Sequence, residues 1–271
     1  MYPYFLLSNF DIRLGLLMKY LNQLFLALSV SIPIQVSAQV IPVEPLTRGL
    51  FGTQQTMTML HERSDAELTI VAVMGHPGHF GLKVGDTFVK NQTARMMRDI
   101  TYRPRIKANV VILDSPIPLQ GIGARSSGDH LSRIESVVKY YKERLKAPVW
   151  LFGHSDGSIS VSEYLNRSDE TRRSLVGAIL SAGRDETRIK EDWKVPTLVI
   201  HHEKDGCDVT TFNGAKRYFA RIKEVNSSPS EFAIVVGGMS SGAPCSTGYH
   251  MYEGAFGETL GSIEDFIARQ K

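Results

Sequence analysis

Two short segments of the sequence carry the pattern Gly-x-Ser-x-Gly, which can mark a reactive serine hydroxyl. Gly153–Gly157 contains Ser155, and Gly238–Gly242 contains Ser240. The pattern alone is weakly specific because glycine and serine are common residues. It is informative where a buried strand precedes the serine and a helix follows it, since the tight turn between them presents the hydroxyl above the strand ends.

The flanking sequence favours the first serine. The apolar run 148–152 precedes Ser155, and residues 156–166 are predicted to form a helix. Ser240 also follows an apolar run, but the sequence Ala-Pro-Cys-Ser-Thr-Gly at 243–248 comes next, which is typical of a loop. We therefore expect Ser155 to be the nucleophile and the glycines around Ser240 to be incidental.

A serine hydroxyl is a weak nucleophile unless a base removes its proton, and the base needs an acid to orient it. In folds with this turn the chain order is serine, acid, histidine, each on a loop after a later strand. Asp205 follows the apolar run 197–201 and is the expected acid. His250 is the only histidine after the last predicted strand, at 231–236, and is the expected base. Two nearby acidic residues remain alternatives to the acid: Asp208 first, then Glu203.

Backbone N–H groups near Ser155 are expected to bind the oxyanion that forms when the hydroxyl attacks a carbonyl. One of them belongs to Asp156, directly after the serine. A second is expected from the loop after the apolar run 68–74, where a proline without an N–H leaves Gly78 or His76 to donate. His76 is also a candidate for contacting the substrate.

Further polar residues suggest other sites. Arg125 follows the predicted strand 109–114, where ligands bind in such sheets, and could hold a substrate carboxylate or form a loop salt bridge. His130 is expected only to open a helix. A metal site is suggested by four residues near one strand end: His201, His202, Asp205 and Asp208. Adjacent histidines at a strand end point to opposite faces, so we expect no metal, and the chemistry needs no cofactor.

Strands and helices alternate along the chain from about residue 66. Strands are predicted at 68–74, a continuous apolar run typical of a parallel strand buried on both faces, and at 109–114, 148–152, 176–180, 197–201 and 231–236. Gln55–His61 is expected to be an antiparallel strand before them. Helices are predicted at 84–100, 128–146, 156–166, 210–225 and 254–270. This alternation predicts one α/β domain over 39–271, with a mostly parallel central sheet flanked by helices.

The segment between the predicted strands 176–180 and 197–201 is too short for a sizeable cap domain. We therefore expect an open site, which suits an exposed or bulky ester better than a small molecule sealed from water. The net charge is +3, and no basic run is interleaved with aromatic residues, so nucleic acid is not an expected partner.

The first 38 residues have the parts of a secretory signal peptide. A charged start at Met18, where translation is expected to begin, precedes an apolar run at 24–34, and cleavage is expected after Ala38. An uncleaved anchor is the alternative, but the run is shorter than the ~20 residues of a membrane span and Pro33 interrupts it. We expect an exported protein, periplasmic or secreted, without a stable membrane span after cleavage.

The chain has two cysteines, Cys207 and Cys245. In an oxidising compartment an even number of cysteines suggests one disulfide, and free buried thiols are the alternative. A bridge would tie the loop that carries Asp205 to the loop that carries His250 and so fix their spacing.

From about residue 50 to its end the chain resembles the α/β-hydrolase superfamily, and it is most similar to small exported bacterial hydrolases. The matching segments are Gly75–Gly78, Asp114–Pro116, Arg125–His130, Gly153–Gly157, His201–Cys207 and Cys245–His250. The resemblance implies the α/β-hydrolase fold and identifies no substrate. We expect an exported serine hydrolase that acts on small or exposed carboxylic esters through an acyl-enzyme. The alternatives are a peptidase, thioesterase or lactonase with the same three residues, or a non-catalytic binding protein on the same scaffold.

Overall fold

The computed structural model describes residues 34–44 and 54–271, so most of the predicted signal peptide lies outside the described residues. One eight-stranded sheet forms their centre. In chain order its strands are β1 (Val36–Val43), β2 (Thr56–Arg63), β3 (Leu68–Val73), β4 (Ala108–Asp114), β5 (Val149–His154), β6 (Gly177–Ser181), β7 (Thr197–His202) and β8 (Ser230–Val235). In space they follow the order β1-β2-β4-β3-β5-β6-β7-β8.

The sheet is mostly parallel, as the strand-helix alternation predicts. The strands β3 to β8 run parallel to one another, and β2 is antiparallel to both of its neighbours, β1 and β4. Every residue of β3 to β7 is buried, because helices cover both faces of the sheet. The predicted parallel strands are all present, with ends shifted by a residue or two.

Seven helices flank the sheet in the described part of the chain. They are α1 (Gln92–Asp99), α2 (Gly121–Arg125), α3 (Gly128–Leu145), α4 (Gly157–Leu165), α5 (Asp169–Arg173), α6 (Phe212–Val225) and α7 (Phe256–Ala268). Apolar residues of α1 and α7 pack on one face of the sheet, and those of α3, α4 and α6 pack on the other. Two short 3₁₀ turns, Ile100–Tyr102 and Gly248–Met251, complete the described elements.

Two elements differ from the sequence-based expectation. The helix predicted at 84–100 begins only at Gln92, where the Asn91 side chain accepts the N–H of Ala94 and caps the first turn. Residues 84–85 form a turn and the stretch from there to the cap is irregular, and Gly85 has a φ of 101°, which a helix cannot contain.

Strand β1 was not predicted, because it overlaps the segment assigned to the signal peptide. Val36–Ala38 pair antiparallel with residues 61–63 of β2. Cleavage after Ala38 would therefore leave Gln39–Val43 to form a shorter strand at this edge of the sheet. The cleavage itself remains a prediction.

The segment from 182 to 196, between β6 and β7, contains neither helix nor strand, so no cap domain is inserted at this point. Among the described residues, no helix is both long and apolar enough to cross a membrane.

Candidate active site

Ser155 lies in the tight turn between β5 and α4, the arrangement that its flanking sequence predicts. Its backbone is left-handed, with a φ of 53°, which is unfavourable for a residue with a side chain. The two glycines of the pattern allow this turn, because a Cβ on Gly157 would lie 2.1 Å from the carbonyl oxygen of Val73 and one on Gly153 would lie 2.5 Å from that of Gly157. The strand and the helix therefore pass too closely for larger residues, and the strained turn holds Ser155 at the carboxyl end of the sheet.

The expected acid and base lie side by side at the same end of the sheet. Asp205 follows β7, and His250 lies in the 3₁₀ turn after β8. The Nδ1 atom of His250 is 2.9 Å from Oδ2 of Asp205, and both side chains are buried. A carboxylate can only accept, so Nδ1 donates and Nε2 of His250 remains available to take a proton. The alternative acids, Asp208 and Glu203, are exposed to solvent.

Asp205 receives more hydrogen bonds than the sequence suggested. The Thr210 hydroxyl donates to Oδ2 at 3.1 Å, and the backbone N–H of Cys207 donates to Oδ1 at 3.0 Å. The Nε2 atom of His201 is 3.3 Å from Oδ2 and 2.9 Å from the carbonyl oxygen of Thr210, so this nitrogen carries a hydrogen. Burial alone would raise the pKa of Asp205, but the hydrogen bonds from His201 and His250 outweigh it and hold the pKa well below its ordinary value.

His201 and Thr210 are the site residues that sequence reasoning missed in this role. His201 was noted only as part of a metal pattern, and its four-residue separation from Asp205 is the one signal that could have placed it here. Nothing in the sequence around Thr210 distinguishes it, because its contact with Asp205 depends on how the loop after β7 folds back.

The adjacent histidines at the end of β7 point in opposite directions, as expected. His202 donates from Nε2 to the carbonyl oxygen of Gly237 at 2.8 Å and accepts the N–H of Lys204 at Nδ1. Its ring stacks on that of Tyr249, with centroids 4.4 Å apart. His202 therefore supports the loop that carries the base, while His201 contacts the acid, and the four residues of the metal pattern do not converge on one point.

Cys207 and Cys245 form the predicted disulfide, with an S–S distance of 2.05 Å. The bridge joins the loop after β7 to the loop after β8, and both cysteines line the same pocket as His250. Since the N–H of Cys207 also donates to Asp205, the bridge and the acid share one short segment of backbone.

The residue before Ser155, His154, is buried beside His250. The centroids of the His154 and His250 rings are 5.1 Å apart, and Nδ1 of His154 is 3.2 Å from the hydroxyl oxygen of Ser181. Burial and the nearby His250 lower the pKa of His154 well below its ordinary value. His154 therefore stays neutral at neutral pH.

The loop after β3 closes the other side of the nucleophile. A Cβ on Gly75 would lie 2.8 Å from Cβ of Ser155, so only glycine allows this approach. A pocket of about 330 Å³ is lined by Gly75, His76, Ser155, Asp156, Arg184 and His250, among others. Gly78 is not part of that lining: a Cβ there would meet the Arg125 guanidinium at 2.8 Å. Of the two expected donors in this loop, His76 is thus the one that faces the pocket.

Arg125 lies behind this loop rather than in the pocket. It is completely buried, and it donates from Nη1 to the carbonyl oxygen of Met74 at 2.7 Å and from Nη2 to that of Gly75 at 2.8 Å. Burial lowers its pKa to about 10, so it remains charged at neutral pH. Arg125 was expected to hold a substrate carboxylate or to form a loop salt bridge, and its contacts in the described part of the chain fit neither. Its guanidinium instead holds the carbonyl groups of Met74 and Gly75, next to Ser155.

Two other candidates also lie outside the pocket. His130 is buried at the start of α3, where its Nε2 is 2.9 Å from the Ser160 hydroxyl oxygen, and burial lowers its pKa to about 3. Ser240 is exposed in the loop after β8, and no helix begins directly after it.

Comparison with solved structures identifies the architecture, although no protein-family model and no curated protein sequence matches this chain. A dienelactone hydrolase from Anabaena variabilis superposes with a TM-score of 0.58 at 13% identity, covering 87% of this chain and 98% of its own. An α/β serine hydrolase without lid from Xanthomonas campestris superposes with a TM-score of 0.56 at 13% identity, covering 86% of this chain and 94% of its own. A bacterial heroin esterase superposes with a TM-score of 0.59 at 11% identity, covering 94% of this chain and 90% of its own. The chain has the α/β-hydrolase fold. In this fold the turn after β5 and the loops after β7 and β8 meet at one end of the sheet, which is where Ser155, Asp205 and His250 lie.

Proposed function

We propose that this chain is a serine hydrolase that cleaves carboxylic esters, with Ser155 as nucleophile, His250 as base and Asp205 as the orienting acid. The observation that carries the proposal is the pocket in which a serine in a strained turn meets a histidine whose Nδ1 is held by a buried carboxylate. Each of these features is needed to make a serine hydroxyl nucleophilic. Likeness of fold to proteins named as a hydrolase and an esterase supports the reaction class but does not choose the substrate.

In the proposed reaction Oγ of Ser155 attacks the ester carbonyl carbon while its proton passes to Nε2 of His250. The carbonyl π electrons move to the oxygen, which becomes an oxyanion. When the oxyanion reforms the carbonyl, the C–O bond to the alcohol breaks and His250 protonates the departing oxygen. Water then repeats both steps on the acyl-enzyme, which releases the acid and restores Ser155. Asp205 stays ionised throughout and stabilises the imidazolium form of His250.

The oxyanion is expected to accept hydrogen bonds from the backbone N–H of Asp156, directly after the nucleophile, and from that of His76 in the loop after β3. Arg125 acts on this part of the site indirectly. Its two hydrogen bonds hold the carbonyl oxygens of Met74 and Gly75, so the peptide groups that precede His76 have a fixed direction. A donor that is already oriented costs no reorganisation when the negative charge forms.

Esters with an exposed or bulky group fit the proposal better than substrates that must be enclosed, because the connection between β6 and β7 adds no cap over the pocket. We further propose export from the cytosol. A disulfide between a buried cysteine and the exposed Cys245 is typical of oxidising compartments, where such bonds persist.

The proposal is tested by labelling the purified protein with a fluorophosphonate probe, which reacts with activated serines. Ser155→Ala is the test variant, and Ser240→Ala is the matched control because it removes the serine of the second pentapeptide. We expect label in the wild type and in Ser240→Ala, none in Ser155→Ala, and a loss in kcat of roughly 10⁴-fold or more for Ser155→Ala on a panel of esters. Equal labelling of both variants, or no labelling of the wild type, would refute the assignment.

A further inference from the structure

The residue after the nucleophile is an aspartate, and this choice creates an electrostatic problem for the proposed reaction. Asp156 contributes its backbone N–H to the oxyanion, but its carboxylate is fixed to the same residue. Covalent geometry keeps that carboxylate within about 5 Å of its own nitrogen, and the oxyanion within about 3 Å of the same nitrogen. A negative side chain therefore lies within about 8 Å of the place where a second negative charge develops.

Arg184, at the carboxyl end of β6, is paired with this carboxylate. Its Nη1 is 3.0 Å from Oδ1 of Asp156, with the two side chains only 19% and 12% exposed, and Arg184 lines the same pocket as Ser155. Burial of this kind makes the pairing stronger than that of an exposed ion pair.

Arg184 makes further contacts through its guanidinium and through its backbone. Glu186 accepts bonds from Nε and Nη2, both at 3.0 Å, and the backbone N–H of Arg184 donates to the Ser158 hydroxyl at 2.9 Å. That hydroxyl in turn donates to the carbonyl oxygen of Ser155 at 2.7 Å. Arg184 is thus anchored to the nucleophile turn at its backbone and to Asp156 at its side chain.

Asp156 also acts on the second arginine near the site. Burial lowers the pKa of Arg125, and the negative charge of Asp156 offsets part of that lowering. Two positive and two negative side chains lie near this part of the site: Arg125, Arg184, Asp156 and Glu186. Their net charge is zero, and it becomes negative if Arg184 is removed.

We propose that Arg184 is a positioning residue of the hydrolytic reaction: it neutralises and orients the Asp156 carboxylate so that this charge does not oppose the oxyanion. The inference rests on the proposed function and deepens it, because it explains how a carboxylate is tolerated next to the oxyanion donor. An arginine that merely stabilises the fold would make the same contacts, so the test must separate the two roles.

The direction in which Asp156→Asn changes the reaction rate separates the structural role from the positioning role. If the ion pair is only structural, Asp156→Asn breaks it and lowers the reaction rate about as much as Arg184→Gln. If the carboxylate opposes the oxyanion, Asp156→Asn removes the opposing charge and raises the rate, while Arg184→Gln exposes that charge and lowers it. Coulomb's law at about 8 Å, with an effective dielectric constant of about 20, gives a loss of about thirtyfold for Arg184→Gln.

The experiment compares kcat, KM and the rate of fluorophosphonate labelling for the wild type, Arg184→Gln, Asp156→Asn and the double variant. Arg184→Lys is the conservative control, since it keeps the charge. We expect Arg184→Gln to lower kcat and the labelling rate about thirtyfold with little change in KM, and Arg184→Lys to recover most of the loss. Because the Coulomb energies of separate charges add, the same Arg184→Gln change is expected to cost a similar factor in the Asp156→Asn background, so the double variant should return close to the wild-type rate. Unfolding midpoints are measured alongside, so that a variant that fails to fold is recognised.

A loss for Asp156→Asn as large as that for Arg184→Gln, or a double variant no faster than Arg184→Gln alone, would overturn the inference. In either case labelling of the wild type at Ser155 would leave the proposed function standing. Absence of labelling in the wild type would instead overturn the proposed function, and the inference with it.

Discussion

The disulfide between Cys207 and Cys245 allows a quantitative prediction, because it joins the loops of the acid and the base. The two residues are separated by 38 positions along the chain. Closing a loop of that length in the unfolded state lowers its entropy by about 13 cal/mol/K in the chain-entropy treatment, or about 4 kcal/mol at 25 °C. The double variant Cys207→Ala/Cys245→Ala should therefore be less stable to unfolding by about 4 kcal/mol. For a domain of this size that corresponds to a fall in Tm of roughly 8–16 °C.

The assay is urea unfolding followed by circular dichroism, with and without the reductant TCEP. Reduction of the wild type removes the bridge but keeps both sulfur atoms, so it isolates the effect of the cross-link. The double variant in TCEP is the control, and its stability should not respond to the reductant. Any additional loss in the double variant relative to the reduced wild type reports the packing of the Cys207 sulfur, which is buried.

Activity provides a second readout of the same perturbation. The N–H of Cys207 donates to Asp205, and Cys245 lies five residues before His250, so loss of the bridge should loosen the contact between acid and base. We expect kcat for an ester to fall about tenfold in TCEP at a temperature where the reduced protein is still folded. If reduction changes the free energy of unfolding by less than about 1 kcal/mol and leaves kcat unaltered, the idea that the bridge fixes the catalytic loops is refuted.

Two further predictions concern buried polar groups around the site. The pKa of Asp205 is lowered from an ordinary value of 3.8, so its contribution to stability is complete above about pH 4 and disappears as the pH falls through its folded-state pKa. His201→Phe removes one donor and so raises the folded-state pKa of Asp205, which should make the acid-induced fall in Tm smaller and make it end at a higher pH, whereas His201→Gln keeps an N–H and should resemble the wild type. Identical Tm profiles for both variants would contradict this role. Arg125→Met should lower the free energy of unfolding by about 2–4 kcal/mol and lower kcat, because the carbonyl oxygens of Met74 and Gly75 lose buried partners; a loss below about 1 kcal/mol would count against it.

The parts of the molecule that sequence reasoning predicted are those set by local pattern. The apolar run of β5, the glycines around Ser155 and the following helix are contiguous, so one stretch of sequence specifies the whole turn. Asp205 and His250 were predicted from chain order after strands, and the structure brings them within hydrogen-bonding distance. The disulfide followed from cysteine number and the expected compartment.

The parts that were missed depend on contacts between distant segments. The Arg125 side chain crosses behind the loop after β3, a placement that nothing in its own neighbourhood specifies. Thr210 reaches Asp205 only because the loop after β7 folds back. Strand β1 was missed for another reason: a stretch rich in small and apolar residues has the same composition whether it is a cleavage region or an edge strand.

The position of β8 makes one side of the site easier to open than the rest of the domain. This strand lies at the edge of the sheet, and β7 is the only strand it pairs with in the described sheet. His250 follows β8 while Asp205 follows β7, so fraying of one edge strand would separate the proposed base from the proposed acid without unfolding the rest of the domain. The disulfide and the hydrogen bond from His202 to the carbonyl oxygen of Gly237 both link the β7 side to the β8 side. The lifetime of the active state should therefore follow the local opening of β8, seen as amide hydrogen exchange, more closely than it follows global unfolding.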